Sequence, residues 1–278
     1  MLIEKDKPAP GERLAAAGDG WRAVEVTCDA GPADRPFEEA HEDLSVSAVL
    51  DGVFAYRSGL GRALMTPGSL LLGNPGGAYR CSHEVCRGDR CLAFQFSAEL
   101  VEETVADFGG LRRPVFSRPR LPPVAERAGR LHAARRLAGG KLPGLASEAL
   151  ALDLLGAAFS SEEGVEPAVT SRDERRIAAV LDYMHAHHDE RLGLGDLAKL
   201  VGLGRHQFLR VFRRVVGQSP HAYLIGYRLA RAAVALDAGS GRVIDIALDN
   251  GFSDLSEFTR RFRDAFGRPP AAYRNKAG

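Results

Sequence analysis

Over the first hundred residues, apolar positions come in short runs. Ala23 to Thr27, Leu44 to Leu50, Val53 to Tyr56, Ser69 to Leu72 and Cys91 to Phe96 are continuous or alternating apolar stretches. Turn-forming groups separate them, among them Asp51-Gly52, Ser58-Gly59, Pro67-Gly68 and Pro75-Gly76-Gly77. Such punctuation predicts strands, and several short strands at this spacing predict a small sandwich or barrel. Asp51-Gly52 between two apolar runs predicts a hairpin. Residues 1–20, with Pro8, Pro10, Gly11, Gly18 and Gly20, predict a flexible start, so a first domain would occupy 21–122.

After Phe96 the spacing becomes helical. Ser97, with Glu99 in the first turn, caps a helix predicted to reach Phe108. Arg112 to Pro123 contains Pro114, Pro119, Pro122 and Pro123 and predicts a linker. Val124 to Ala138 and Leu145 to Phe159 predict two helices, split by Gly139-Gly140 and Pro143-Gly144, that form a connecting region at 123–160. The polar stretch Ser160 to Val169 marks the boundary of a second domain at 171–275.

That second domain predicts only helices. Ser171-Arg172-Asp173-Glu174 has the form of a capping box before a helix that carries Ile177, Val180, Leu181 and Met184 on one face. A short helix around Leu197-Ala198, a turn at Gly202 to Gly204 and a helix from Arg205 to Val216 follow. At ~100° per residue Phe208, Val211, Phe212 and Val215 share one face of the last helix. His206, Arg210 and Arg213 share the other, flanked by Gln207, Leu209 and Arg214. The pattern then recurs. Ile246-Ala247 and the turn at Gly251 precede a helix with Phe258 and Phe262 inward and Ser256, Arg260 and Arg263 outward. Gly217-Gln218-Ser219-Pro220 and Gly267-Arg268-Pro269-Pro270 end the two copies, and one long helix from Pro220 to Leu236 joins them. A short helix, a tight turn and a basic outward-facing helix make a helix-turn-helix unit. Two copies on a rigid connector suit consecutive major grooves of double-stranded DNA, about 34 Å apart.

Charge agrees with this division. The 278 residues carry a net +1. From Ser171 onward there are 18 Lys and Arg against 12 Asp and Glu, a balance of +6, so the first 170 residues hold −5. Length alone predicts two domains. No apolar run approaches the ~20 residues of a membrane span, and Met1 to Lys7 lacks a signal pattern. A cytoplasmic protein without a membrane partner is expected. No Gly-x-Ser-x-Gly elbow, phosphate loop or His-Glu-x-x-His motif occurs, so an enzyme is not expected.

Residues 173–274 resemble the AraC/XylS family of bacterial transcription regulators. The second unit carries the resemblance in Asp245-Ile246-Ala247, Gly251-Phe252-Ser253-Asp254, Ser256-x-Phe258-x-Arg260-x-Phe262, Gly267-x-x-Pro270 and Tyr273-Arg274. The first unit carries it in Leu197-Ala198, Phe208-x-Arg210-x-Phe212, Gly217-x-Ser219-Pro220, Tyr223-Leu224 and Arg228-Leu229-x-x-Ala232. Gly204 departs from the pattern, because the family usually places a capping Ser there. The resemblance implies DNA contacts at His206, Gln207, Arg210, Ser256, Glu257 and Arg260, with phosphate contacts or solvated charges at Arg213, Arg214 and Arg263. It further implies an α+β chain whose N-terminal part is a cupin-like β-barrel that binds an effector. The protein would be a homodimer working with RNA polymerase, as a transcription activator for example. No His-x-His pair is present for the metal triad of enzymatic cupins. His41 is a surface histidine or lines a barrel mouth.

Cys81, His83, Cys86 and Cys91 lie within eleven residues. Three readings stay open. They could hold zinc or another soft metal as a Cys₃His set. Arg80, Arg87 and Arg90 could lower the thiol pKa values and favour reaction with oxidants or electrophiles. Alternatively Cys91 is buried and inert, and Cys81 and Cys86 are incidental. Cys28, alone on a strand, reads as core. DNA binding itself requires no cofactor. The alternative function is an Ada-type repair methyl acceptor, whose cysteine spacing and acceptor motif this chain lacks.

Overall fold

The computed structural model describes residues 11–36, 38–83, 87–106, 114–124, 128–160, 169–239 and 241–274. The N-terminal region holds strands β1 (Gly11–Gly18), β2 (Trp21–Cys28), β3 (Glu38–Ala40), β4 (Leu44–Gly52), β5 (Phe54–Ser58), β6 (Gly61–Met65), β7 (Leu70–Gly73), β8 (Ala78–Ser82), β9 (Asp89–Phe96) and β10 (Arg120–Leu121). They form a six-stranded sheet in the order β1-β2-β9-β4-β7-β10 and a four-stranded sheet in the order β3-β8-β5-β6. Val49, Leu71 and Cys91 of the first pack with Phe54, Tyr56, Ala63 and Met65 of the second, so the sheets share a core. Among the described residues no strand pairs across the two sheets. The arrangement is an open sandwich, where the resemblance implies a closed barrel.

Two strand expectations change. Asp51-Gly52 does not close a hairpin, since β4 pairs with β7 and β9, and β5 with β6 and β8. Instead Gly52 carries the chain from one sheet to the other at φ 91°, and a Cβ there would lie 2.5 Å from the Gly88 carbonyl oxygen. Only glycine tolerates both demands. The expected flexible start is also a strand from Gly11 onward, because Gly11 to Leu14 and Ala16 to Gly18 pair with β2 on either side of a bulge at Ala15. Residues 1–10 lie outside the described residues.

The outer face of the six-stranded sheet is covered by α1 (Ala98–Ala106), α2 (Ala128–Ala138) and α3 (Gly144–Ser160). Leu131, Ala134, Leu137, Leu150, Leu154 and Leu155 pack there with Val46, Leu92 and Phe94. Ser97 caps α1, its hydroxyl accepting from the Leu100 N–H at 3.3 Å. The proline-rich stretch is more than a linker. It adds β10 to the sheet edge, and the buried Arg120 donates to the carbonyls of Leu64 and Val215.

The C-terminal region is helical: α4 (Ser171–Ala186), α5 (Leu194–Leu200), α6 (Arg205–Val216), α7 (Pro220–Asp237), α8 (Val243–Asp249), α9 (Leu255–Phe266) and α10 (Pro270–Arg274). The cap of α4 sits one residue earlier than the sequence pattern predicts, since Thr170 accepts from the Asp173 N–H. Ser171 and Glu174 are drawn instead to Arg62 of β6, and Glu174 is buried in that ion pair. Val53 and Leu64 of the sandwich join Ile177, Phe208 and Phe212 in one apolar cluster, so the first helical unit and the sandwich share a core. No helix among the described residues is long and apolar enough to cross a membrane.

Candidate nucleic-acid interface and the cysteine hairpin

Each helical unit is built from the same parts. α5 and α8 end in turns in which the N–H groups of Leu203 and Phe252 each donate at 3.0 Å, to Ala198 O and Ala247 O. Ala198 and Ala247 are buried at equivalent positions of the two units, where a small side chain suits close packing of the next helix. α6 and α9 each bury two phenylalanines, Phe208 and Phe212 in one and Phe258 and Phe262 in the other. Both helices end in a left-handed glycine, Gly217 at φ 90° and Gly267 at φ 73°. A glycine there completes the last turn without a Cβ penalty.

With the phenylalanines inside, the opposite faces are open to solvent. His206, Gln207, Arg210 and Arg213 are exposed on α6 and Arg214 is half-buried. Ser256, Glu257, Arg260 and Arg263 are exposed on α9. α6 has four arginines and no acid. On α9, Glu257 pairs with Arg261 at 2.7 Å and Arg260 lies 3.5 Å from Asp264. Exposed pairs of this kind are weak, so a phosphate or base edge can take over Arg260 at small cost. The helix starts differ. Gly204 provides no side-chain bond, whereas the Asp254 carboxylate accepts from the N–H groups of Ser256 and Glu257 at 2.7 and 3.0 Å.

Arg228 ties the two units together, a role that sequence reasoning did not assign. From α7 its guanidinium donates to His188 O at 2.5 Å, Glu190 O at 2.6 Å and Gly251 O at 3.0 Å. These carbonyls belong to the turn after α4 and the turn inside the second unit. Gly251 is crowded by that guanidinium and has φ 76°.

The cysteines do not sit in one loop. Cys81 is in β8, Cys91 is in β9, and Cys86 lies outside the described residues. Cys91 is buried; burial, and then the Asp89 carboxylate, push its thiol pKa up. That is opposite to what a reactive thiolate needs. Two of the three arginines expected to activate the thiols are otherwise engaged: Arg80 pairs with Glu38 at 2.9 Å and Arg90 with Asp51 at 2.8 Å, while Arg87 is exposed. His83 meets Cys28 and Asp89. His41 is half-buried. It stacks on Tyr79, bonds Tyr56 and Ser45 at 2.9 and 3.0 Å, and is held to a pKa of about 4 by burial.

The repeated units, with basic helices outward and phenylalanines inward, define a paired helix-turn-helix protein of the DNA-binding class. A family profile described as a helix-turn-helix domain matches residues 197–276. The regulatory protein SoxS of Salmonella typhimurium is 33% identical over 100 residues, which take in 36% of this chain and 94% of SoxS. The HTH-type transcriptional activator AarP of Providencia stuartii is 34% identical over 98 residues, 35% of this chain and 73% of AarP. The uncharacterized regulator YbfP of Bacillus subtilis is 34% identical over 101 residues, and there the match spans only 34% of YbfP and 36% of this chain. The chain belongs to the AraC/XylS family of DNA-binding transcription regulators.

Proposed function

We propose that this chain is a one-component regulator. The sandwich receives a chemical signal, and α6 and α9 place His206, Gln207, Arg210, Ser256, Glu257 and Arg260 at base edges in successive major grooves, with Arg213, Arg214 and Arg263 on phosphates. The reading rests on one observation: two copies of a basic helix face stand open to solvent at the same position in the repeated unit. Phosphate contacts supply affinity and base contacts supply selectivity. The cupin-like character of the sandwich, a homodimer and contact with RNA polymerase belong to this proposal as what the family resemblance implies. The repair-protein alternative gains nothing from SoxS and AarP, which are named as regulators.

The test is selection of preferred duplexes from a random pool, followed by gel-shift titration of the variants. Arg260→Ala should weaken the selected site by roughly 1–3 kcal/mol and relax the preference at one base pair. Arg213→Ala should weaken all duplexes alike and reduce the salt dependence. Unchanged binding by Arg260→Ala would remove α9 from the interface.

A further inference from the structure

We propose that Cys28, His83 and Asp89 form a binding site for a zinc-like divalent cation. This goes beyond the regulator reading and does not depend on DNA binding. Strand pairing builds the site. Cys28 ends β2 directly opposite Asp89, the first residue of β9, and His83 follows the last residue of β8. The cysteine sulfur, an imidazole nitrogen and a carboxylate oxygen all lie within 4.8 Å of one another. Zinc bonds of ~2.0–2.3 Å place tetrahedral donors roughly 3–4 Å apart, so small side-chain adjustments suffice.

The surroundings favour an ion. His83 Nε2 lies 2.6 Å from Asp89 Oδ2, and the two side chains are only 2% and 8% exposed. An imidazole and a carboxylate withdrawn together from water lose hydration that their mutual hydrogen bond and a weak thiol donor replace only in part. A divalent cation between them takes the place of the shared proton, and the Cys28 thiol gives up its proton to supply sulfur. Sulfur, nitrogen and oxygen donors together select zinc and its neighbours over magnesium or calcium, which take oxygen. Cys91 orients the carboxylate, its thiol donating to Asp89 Oδ1 at 3.4 Å.

A groove of about 400 Å³, lined by Asp34, Arg57, Arg62, Arg80 and Ser82, reaches the site at His83. Three protein ligands leave a fourth position for water or a small anion, the open arrangement of exchangeable zinc sites. The site also adjoins the domain junction. The His83 ring packs 5.6 Å from Phe54, next in the chain to Val53 of the shared core, and Arg62 in the same groove holds Glu174 of α4.

The experiment is titration of the reduced, chelator-treated full-length chain with cobalt(II), read by thiolate-to-cobalt absorption, followed by displacement with zinc. One equivalent should bring up the band, and zinc should remove it. Cys28→Ser should abolish the band and weaken zinc by more than the roughly 10–100-fold typical of losing an outer-shell partner. Asp89→Asn should weaken zinc while retaining the sulfur band, and Cys81→Ser should leave both unchanged. Circular dichroism of each variant separates lost binding from lost folding. No band in the parent chain, or a band that survives Cys28→Ser or disappears with Cys81→Ser, overturns the proposal.

Discussion

The two helix-turn-helix units share a plan and differ in what surrounds them. The first carries four arginines and no acid on its exposed helix, starts that helix with a bare glycine, and shares its core with Val53 and Leu64 of the sandwich. Its end is pinned as well: Arg120 donates to Val215 O at 2.5 Å, and Gly217 lies against Pro122. The second has mixed charge and a carboxylate cap. Its core is its own aromatic set of Phe252, Phe258, Phe262, Phe266 and Tyr273, and α2 packs against it from outside: the His132 ring meets Phe266 and Tyr273, His132 and Arg136 lie 3.0 and 3.8 Å from Asp237, and Gly129 lies against the Ala265 carbonyl. The more basic unit therefore shares an apolar core with the sandwich, whereas the unit of mixed charge meets the N-terminal region through α2, by ring edges and ion pairs.

Removing what joins the units should have the largest effect. Arg228→Ala deletes three charge-assisted bonds and leaves three carbonyls to find new donors, with Arg228 itself only 9% exposed. A loss of roughly 3 kcal/mol or more is expected in urea unfolding, with DNA affinity falling alongside. Arg228→Lys should recover only part, because an ammonium lacks the planar fork. An unchanged midpoint in Arg228→Ala would mean that the units do not depend on this link.

Acid probes the first unit next. Burial holds His185 at a pKa of about 4; it bonds Tyr223 OH at 2.7 Å and stacks on Tyr227 at 4.2 Å. A histidine whose folded pKa lies below its unfolded value near 6.5 binds fewer protons when folded, so stability falls as pH drops from 6.5 toward 4. At ~1.4 kcal/mol per pKa unit the loss reaches at most about 3 kcal/mol. His185→Gln should lessen the decline between pH 6.5 and 4, the rest belonging to His41 and His132, which burial also lowers to about 4. An identical decline in the parent chain and in His185→Gln would show His185 to be solvated. The paired glycines are expected to separate the units by less. Gly267→Ala meets nothing within 4 Å and should cost the ~1–2 kcal/mol of a left-handed alanine, whereas Gly217→Ala adds a Cβ 2.4 Å from that of Pro122. Equal thermal shifts for the two variants would contradict the pinned end of the first unit.

Helix periodicity made the C-terminal domain readable. α6 begins and ends where the spacing of Phe208 and Phe212 and the glycines on either side place it, and the exposed arginines follow from the same geometry. The N-terminal region was less legible because sheet partners are non-local. Asp51-Gly52 looks like a hairpin locally, yet each strand beside it finds a better partner far along the chain. Cys28 reads as a lone core thiol, and only the register of β2 against β9 sets it opposite Asp89. Nor did spacing reveal Arg62, Arg120 or Arg228 as ties, since each reaches an element far away in sequence.

The bare cap of the first unit offers the smallest and most direct comparison. Gly204 has φ −70° and ψ 153°, a backbone that any residue adopts, and nothing lies within 4 Å of where its Cβ would be. Gly204→Ser therefore adds an acceptor for the first N–H groups of α6 without strain, as Asp254 does for α9, and also restricts the unfolded chain. The gain should be a few tenths of a kcal/mol, an upward thermal shift of about 1–2 °C. The neutral hydroxyl leaves the charge of α6 unchanged, so binding to random-sequence DNA should stay the same while the helix frays less. A lower melting temperature would show that the first unit uses its glycine for close approach, and that the difference between the two caps is functional.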